Sequence, residues 1–387
     1  LCNMKKYIWS IALSAIVLAA CGKKEEPVVA APAPVASAPA AVVIAEEKVL
    51  NIYNWPDYVP EGMIAVFEKE TGIKVNYDTF ETNEALNAKL VAGNTGYDIV
   101  VPGTSFSPAQ TEAGMFQPLD GSKIPNLKNL DPAIMAALVK ADPGNKHLVP
   151  WAWGFTTVGI NKTKVEKALG KMPMPENAWD LVFKPEYTSK LKSCGIAYLD
   201  SPTEIIPAAL HYLGKDAYSN DPVDYKLAAE MLGKVRKDVR IFSSTMIDDI
   251  AGGKACVALG WSGDINIAAG RAKENGSKDV IEALLPSTGA LIFFDTMAIT
   301  KDAKHPANAH AFIDFYLRAE NGAQMSDELS YPTGNKAAME KMKPEVVGNK
   351  TIFVDADFAA KMVQPGKFTN EGREAIANAY IAFKKGK

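Results

Sequence analysis

Short apolar runs of strand period and amphipathic runs of helical period alternate through the first part of the folded chain. Leu50 and Ile52 alternate with polar neighbours, which predicts a β-strand. Pro56 ends this strand, because proline cannot donate a hydrogen bond to a sheet ladder. Residues 60–71 then carry apolar side chains at helical spacing, and Gly72 stands where a helix commonly ends.

The same alternation continues along the chain. Residues 73–80 predict a second strand, residues 83–93 a helix capped by Asn83, and residues 97–102 a third strand. This order favours a parallel α/β sheet, in which ligands bind beyond the carboxyl ends of the strands. Polar turns that follow strands are therefore candidate binding positions.

A second region of the same kind follows residues 148–160, a long β-rich run with no helix on either side. We interpret this run as the crossing into a second lobe, and residues 280–294 as a return to the first. Roughly 340 residues are enough for two such lobes. The predicted boundaries are 48–153 and 283–324 for lobe 1, and 154–282 and 325–387 for lobe 2.

Residues 1–20 have the features of a signal peptide. Two lysines follow Met4, and residues 8–17 form an apolar segment that is too short to span a bilayer. The segment ends in Leu-Ala-Ala-Cys21, which resembles a bacterial lipobox, in which the cysteine is lipidated (with palmitate as the expected acyl group). The alternative is an ordinary cleaved signal that leaves Cys21 as a free thiol.

Residues 21–47 predict a tether, because they alternate Ala and Pro and show no amphipathic period. At ~3.1 Å per residue, about 25 residues reach roughly 75 Å when fully extended. We therefore expect a folded domain in the periplasm that is anchored to a membrane through lipidated Cys21. The sequence leaves open which membrane holds the anchor.

The net charge and the cysteine content limit the classes of function that the chain can have. The net charge is −3, and removing residues 1–20, which carry two lysines and no acids, takes it to −5. A mildly acidic chain argues against nucleic-acid binding, which favours a basic surface. Apart from Cys2 and Cys21, the chain has Cys194 and Cys256, which are either a disulfide or two buried thiols.

Catalytic and cofactor motifs are weak or absent in the sequence. No His-Glu-x-x-His occurs, Gly253-Lys254 lacks the spacing of a phosphate loop, and the second glycine of Gly260–Gly263 comes too early for a nucleophile elbow. The four histidines lie in unrelated segments, without the spacing of a metal site. We therefore expect no enzyme activity, no cofactor and no metal.

Acidic residues recur beside aromatic residues where strands are predicted to end. Each group alone favours a simple turn that has core aromatics and a solvated acid. Together they suit a ligand with separated ammonium groups, because each charge needs a partner and ring faces accept methylenes and cations. The three groups are Trp55, Asp57 and Tyr58; Trp261 and Asp264; and Phe293 and Asp295.

Four segments carry a resemblance to a known family. They are Asn54-Trp-Pro-Asp-Tyr-Val-Pro60, Tyr97-Asp-Ile-Val-Val-Pro102, Ala255-Cys-Val-Ala-Leu-Gly-Trp-Ser-Gly-Asp264 and Phe293-Phe-Asp295. They closely resemble the polyamine-binding proteins of bacterial ABC importers, above all the putrescine-binding members. The resemblance implies a bilobal periplasmic-binding-protein fold (Venus flytrap, type II) with two interleaved α/β lobes. It also implies a monomer that closes by a hinge, delivers polyamine to the transmembrane permease subunits and does no chemistry.

The resemblance also assigns residues. Pro56 stands where relatives usually have a small hydroxyl residue, which leaves the ligand preference in doubt, and the lipobox is a second departure. The cysteine pair resembles a family disulfide between Cys194 and Cys256. The implied aromatic box is Trp55, Tyr58, Trp261, Phe293 and Tyr331, the implied carboxylates are Asp57, Glu204, Asp264 and Asp295, and the implied polar contact is Ser105.

Two other functions stay open at this point. A polyamine sensor that signals to a membrane partner would have the same pocket, and an enzyme on a related bilobal fold would need a nucleophile and base that the sequence does not show. The sequence also does not rank putrescine against spermidine, cadaverine or agmatine.

Overall fold

The computed structural model describes residues 46–386. The expectations for the signal peptide, for Cys21 and for the tether up to residue 45 lie outside these residues. Within the described part of the chain, no helix is both long and apolar enough to cross a membrane.

The described residues form nine strands and sixteen α-helices, with four short 3-10 helices between them. The strands are β1 Val49–Asn54, β2 Lys74–Thr79, β3 Ile99–Val100, β4 Val149–Asn161, β5 Ile196–Tyr198, β6 Ile241–Phe242, β7 Val257–Trp261, β8 Ile281–Ala283 and β9 Leu291–Ile299. The helices of the first half are α1 Met63–Thr71, α2 Asn83–Ala92, α3 Ser107–Glu112, α4 Pro132–Leu138, α5 Lys162–Leu169, α6 Asp180–Phe183, α7 Pro185–Leu191 and α8 Pro202–Tyr212. Those of the second half are α9 Pro222–Val235, α10 Met246–Ala251, α11 Ser262–Glu274, α12 Pro306–Tyr316, α13 Ala319–Leu329, α14 Pro344–Val347, α15 Ala356–Ala359 and α16 Asn370–Lys385.

The strands form one mixed sheet in the order β2-β1-β3-β9-β4-β7-β5-β6, with β8 paired to β4. One parallel group contains β1, β2 and β3, and the other contains β5, β6 and β7. The long strands β4 and β9 run antiparallel to each other between the two groups. This arrangement confirms the predicted bilobal α/β fold.

Two hydrophobic cores lie along this sheet, and the long strands contribute to both. β4 places Trp151 in the first core and Phe155 in the second. β9 places Phe294 in the second core and Met297 in the first. Both strands therefore pass from one core to the other. The residues at which the lobes divide stay a prediction.

The sequence predicts that Asp295 lies at the end of a strand, but the structure places it inside β9. β9 continues past it to Ile299, because the second half of the strand pairs with β3. Asp295 itself lies opposite Ala152 of β4, where the register of that pair shifts. The carboxylate is thus carried by the central crossing strands rather than by a turn.

The second helix is capped one residue earlier than predicted. The Thr82 hydroxyl accepts a hydrogen bond from the Ala85 N–H at 3.1 Å, which satisfies one of the unpaired donors of the first helical turn. The side chain of Asn83 has a different partner, because its Oδ1 accepts from the Gly103 N–H at 2.9 Å. Asn83 therefore holds the turn that follows β3.

Cys194 and Cys256 form a disulfide, with their Cα atoms 5.5 Å apart. Each cysteine lies just before one of two adjacent parallel strands, β5 and β7. This outcome confirms the disulfide and excludes the alternative of two thiols. In the chain-entropy model, a cross-link over a loop of this length stabilises the fold by roughly 3–5 kcal/mol.

Candidate ligand-binding cleft

A cavity of about 560 Å³ lies between the two cores. Its wall combines the turns after β1 and β3, the starts of α8 and α11, and the centre of β9. All ten residues that the sequence suggested for ligand binding lie on this wall: Trp55, Asp57, Tyr58, Ser105, Glu204, Trp261, Asp264, Phe293, Asp295 and Tyr331.

The position of Trp55 is fixed by two hydrogen bonds. Its backbone N–H donates to Asn54 Oδ1 at 2.8 Å, and its indole N–H donates to the Val101 carbonyl at 3.0 Å. The indole N–H therefore already has a hydrogen-bond acceptor within the protein, and the face of the ring is available to an apolar ligand body. The ring centroid lies 5.7 Å from that of Trp261, which ends β7 on the other side of the cleft.

Tyr58 and Asp295 form a buried pair. The Tyr58 hydroxyl donates to Asp295 Oδ2 at 2.8 Å, and Asp295 is only 6% exposed. Burial raises the pKa of Asp295 to about 8, and the neighbouring Glu204 and Asp264 charges add to this rise. The hydrogen bond from Tyr58 lowers the pKa but does not offset burial.

Tyr331 and Asp264 form a second pair of the same kind. The Tyr331 hydroxyl donates to Asp264 Oδ1 at 2.6 Å. Burial raises the pKa of Asp264 to about 7 against this hydrogen bond. The preceding residue, Gly263, has no room for a side chain, because a Cβ there would lie 2.2 Å from the Tyr331 ring. Glycine thus allows the ring to reach across to the first turn of α11.

Glu204 provides a third carboxylate, in the first turn of α8. Thr156 on β4 donates its hydroxyl to Glu204 Oε2 at 2.5 Å. Burial raises the pKa of Glu204 to about 7, and the charge of Glu84 adds to the rise. Glu204, Asp264 and Asp295 therefore share one property: each is held in the cleft without a cationic side chain as its hydrogen-bond partner among residues 46–386.

Tyr331 links the aromatic side chains of the box. Its ring meets Tyr58 edge to face, with centroids 4.9 Å apart, and lies 6.5 Å from Phe293. These rings lie beside the carboxylates to which Tyr58 and Tyr331 donate. The cleft therefore offers apolar faces between separated negative charges, which is the arrangement that a cation with a methylene spacer needs.

Asp57 behaves differently from the other acids. Its side chain is 53% exposed, and its Oδ1 lies 3.3 Å from Nη2 of Arg271. Arg271 also binds Asp248 at 2.7 Å. Asp57 thus lies on the cavity wall with its carboxylate engaged in an ion pair across the cleft mouth, a pairing that the sequence analysis did not include. The sequence did contain one indication that Arg271 lies near the cleft. Arg271 follows Asp264 by seven residues, which is two turns along α11, so both side chains lie on the same face of the helix.

Ser105 completes the predicted set, and Pro56 is the departure from the family pattern. Both lie on the wall, and the Ser105 carbonyl accepts a hydrogen bond from Arg373 at 3.1 Å. Thr156, Thr203 and Arg373 could not be identified from the sequence, because single polar residues in apolar runs and helices carry no pattern of their own. Among residues 46–386, no group of three or more His, Cys, Asp or Glu side chains could hold a metal ion.

Comparisons with known proteins agree with this geometry. Residues 62–353 match the family model described as "Bacterial extracellular solute-binding protein". The chain is 43% identical over 344 residues to the putrescine-binding periplasmic protein SpuD of Pseudomonas aeruginosa, covering 89% of this chain and 94% of the relative. It is 46% identical over 320 residues to the putrescine-binding periplasmic protein PotF of Escherichia coli, covering 82% and 86%. Among solved structures, a putative spermidine/putrescine ABC transporter from Listeria monocytogenes superposes with a TM-score of 0.75 at 31% identity, covering 88% and 99%.

Proposed function

The chain belongs to the bacterial extracellular solute-binding proteins, and from this premise we propose that it binds putrescine or a closely related polyamine for an ABC importer. The names of these relatives describe periplasmic binding proteins, and the solved neighbour is named as an ABC transporter protein; none of the names describes an enzyme. The proposed ligand set is the predicted one, with Asp57 acting at the cleft mouth. Delivery to the permease, as a monomer, is part of the same proposal.

The observation that carries the proposal is the set of three largely buried carboxylates that lack a cationic partner. Burial raises the pKa of Asp295, and the charges of Glu204 and Asp264 add to the rise, so the three carboxylates act on one another within one cleft. A diamine places two ammonium groups at the ends of an apolar spacer. We infer that the ammonium groups pair with the carboxylates and that the spacer lies against Trp55 and the ring of Tyr331.

Closure by a hinge is supported by the way the chain crosses between the cores. Only a few strands link the two parallel groups, and β4 and β9 carry residues of both cores. Small backbone rotations in these strands would separate Trp55 from Trp261 and Asp57 from Arg271. The lobe boundaries that the sequence predicts, at 153/154, 282/283 and 324/325, belong to this proposal, with β9 passing from the second core to the first beyond residue 283.

The lipid anchor at Cys21 is also proposed. Its support is the resemblance of residues 18–21 to a lipobox, while the described chain begins with Glu46, which accepts hydrogen bonds from the N–H groups of Ala307 and Asn308 at 3.0 and 3.2 Å. The end of the predicted tether is thereby fixed to the start of α12. Mass spectrometry of the membrane fraction tests the anchor, since a Cys21→Ser variant should lose both the acyl mass and the membrane association.

Titration calorimetry tests the ligand. We expect putrescine to bind at micromolar or lower concentration to the chain from residue 22 onward, with cadaverine, agmatine, spermidine and spermine as comparisons. Glu204→Gln should weaken binding by about tenfold or more, because an ammonium group loses a charged hydrogen-bond partner. Absence of binding by all five amines would overturn the proposal.

A further inference from the structure

One arginine joins elements of the two cores without lining the cavity itself. Arg373 lies in the first turn of α16, and its Nη2 donates to the Ser105 carbonyl at 3.1 Å. Its central carbon lies 4.3 Å from the centroid of the Phe106 ring. Ser105 and Phe106 belong to the turn between β3 and α3, and Ser105 lines the cavity. A helix of the second core therefore holds a turn that follows a strand of the first.

The backbone that carries Arg373 is fixed to the second core. α16 contributes three buried side chains to that core: Ile376, Tyr380 and Phe383. The Thr369 hydroxyl caps the helix by accepting from the Gly372 N–H at 2.9 Å. Asn220, which precedes α9, accepts from the Thr369 N–H at 2.8 Å. Because the start of α16 is held in this way, Arg373 moves with the second core.

Phe106 is buried although it belongs to neither core. Only 4% of its surface is exposed, and it is not among the side chains that form the two cores. The Arg373 guanidinium covers a face of its ring. The Ser105 carbonyl is the one hydrogen-bond acceptor of this guanidinium within residues 46–386, and its buried Nη1 has no partner there. Movement of α16 away from the turn would therefore break both contacts and expose the ring.

We propose that Arg373, Ser105 and Phe106 form a clasp that stabilises the closed cleft without contacting the ligand through Arg373. Arg373 is a positioning residue, since it holds the turn that presents Ser105 to the cavity. Opening would cost a charge-assisted hydrogen bond and a ring contact in a partly desolvated region, whether or not the cleft is filled. This inference rests on the proposed closure around a polyamine and adds a contact that determines how long the ligand stays bound.

Stopped-flow measurement of putrescine dissociation tests the clasp. Arg373→Gln removes the charge and the planar group over the ring, so we expect the dissociation rate constant to rise on the order of tenfold. The factor should be the same for every amine that binds. Arg373→Lys keeps the charge but not the planar stacking, and should give a smaller rise. Adding Phe106→Leu to Arg373→Gln should change the rate little further, because both substitutions remove the same contact.

Arg236→Gln is the matched control. The Arg236 guanidinium lies over the Phe242 ring, with its central carbon 4.9 Å from the centroid, and its Nε donates to the Lys384 carbonyl at 2.8 Å. It therefore makes the same two kinds of contact as Arg373. Phe242 packs against the second core and Lys384 belongs to α16, so both contacts lie on one side of the cleft, and none of the three residues lines the cavity. Arg236→Gln should lower the midpoint of urea unfolding and leave the dissociation rate unchanged.

Small-angle X-ray scattering tests the clasp without any ligand. At pH 6 the raised pKa values of Asp295, Asp264 and Glu204 keep these carboxyls largely protonated, so their charges do not open the empty cleft. Empty Arg373→Gln should then have a larger radius of gyration than the empty wild type. Empty Arg236→Gln should have the same radius as the wild type.

The outcomes separate this inference from the proposed function. If the wild type binds putrescine and Arg373→Gln releases it no faster, the inference is overturned and the function stands. An equal rise in the dissociation rate of Arg236→Gln also overturns it, because general loss of stability would then explain the result. If the wild type binds no amine, the proposed function falls and the scattering comparison decides the clasp, which equal radii of the empty wild type and Arg373→Gln would overturn.

Discussion

Binding of a diamine near neutral pH should release about two protons from the cleft. The pKa of Asp295 is raised to about 8, and those of Asp264 and Glu204 to about 7. At pH 7, roughly nine-tenths of Asp295 and half of each other carboxyl are therefore protonated when no cation is bound. Pairing with ammonium groups favours the ionised form of all three, so about two protons leave.

The sign of the pH dependence follows from this release. Because the bound state holds fewer protons than the empty state, affinity should rise with pH, by tenfold per pH unit for each proton released. The rise should level off above about pH 9, where the carboxyls are already ionised. The ligand does not reverse the trend in this range, because a primary ammonium group such as that of lysine has a pKa near 10.4.

Calorimetry at pH 7 in two buffers with different ionisation enthalpies measures the protons released. The observed enthalpy should differ between the buffers by about twice the difference of their ionisation enthalpies, and by about once that difference in an Asp295→Asn variant. A binding enthalpy that is independent of the buffer at pH 7 would refute the reasoning, because it would mean that the carboxyls are already ionised in the empty cleft.

Three further predictions concern stability and closure. Because the folded-state pKa of Asp295 lies above its ordinary value of 3.8, its destabilising effect grows as pH rises towards 8. Asp295→Asn should therefore raise the unfolding free energy of the empty protein by about 1–3 kcal/mol at pH 8 and little at pH 5, as measured by urea titration; equal gains at both pH values would contradict this. Arg271→Gln removes the ion pair across the cleft mouth, which is partly exposed, and should weaken binding only about two- to fivefold, mainly through faster dissociation in stopped-flow experiments. Arg318→Gln is its control, since Arg318 binds Glu70 at 2.8 Å with similar exposure and away from the cavity, and equal effects of both variants would argue against a role in closure. Replacing Cys194 and Cys256 together by Ser should lower the unfolding free energy by about 3–5 kcal/mol in calorimetric scans and leave putrescine affinity unchanged, because neither cysteine lines the cavity. Loss of affinity in the folded double variant would show that the disulfide positions the site.

The wall of the cleft could be predicted because much of its chemistry follows strands in the sequence. Trp55 comes directly after β1 and Trp261 ends β7, so hydrophobic periodicity locates both beside the carboxyl ends of strands. Asp295 shows the limit of that reasoning. Its apolar neighbours predict a strand that ends just before it, whereas β9 continues to Ile299, so the strand-end reasoning that singled out Asp295 does not describe where it lies.

The partners of the charged groups could not be predicted in the same way. Arg271 and Asp57 are 214 residues apart, and Arg373 and Ser105 are 268 apart. No local period relates such positions, since their approach depends on how α11 and α16 pack against the turns of the first core. The sequence therefore predicted four of the acids that line the cleft, but not that Asp57 is paired across its mouth.

The same three carboxyls should couple ligand binding to closure. A closed, empty cleft must hold its acids either protonated or charged away from water, and the second is costly. Below about pH 6 the acids are neutral and the empty cleft can stay closed. At pH 9 they are ionised, and opening rehydrates them. A bound diamine removes this dependence of closure on pH. Its ammonium groups supply the charges that oppose the ionised acids, and they do so only in the closed cleft, where both lobes surround the ligand.

Small-angle X-ray scattering tests this coupling. The radius of gyration of the empty protein should increase from pH 6 to pH 9, and that of the putrescine-bound protein should not. A variant with Glu204→Gln, Asp264→Asn and Asp295→Asn has no carboxyl to ionise at these positions, so without ligand it should stay as compact at pH 9 as at pH 6. If this variant expands at pH 9 as the wild type does, repulsion and desolvation of the three acids do not open the cleft. The charges that hold the ligand would then have no part in signalling that the protein is loaded.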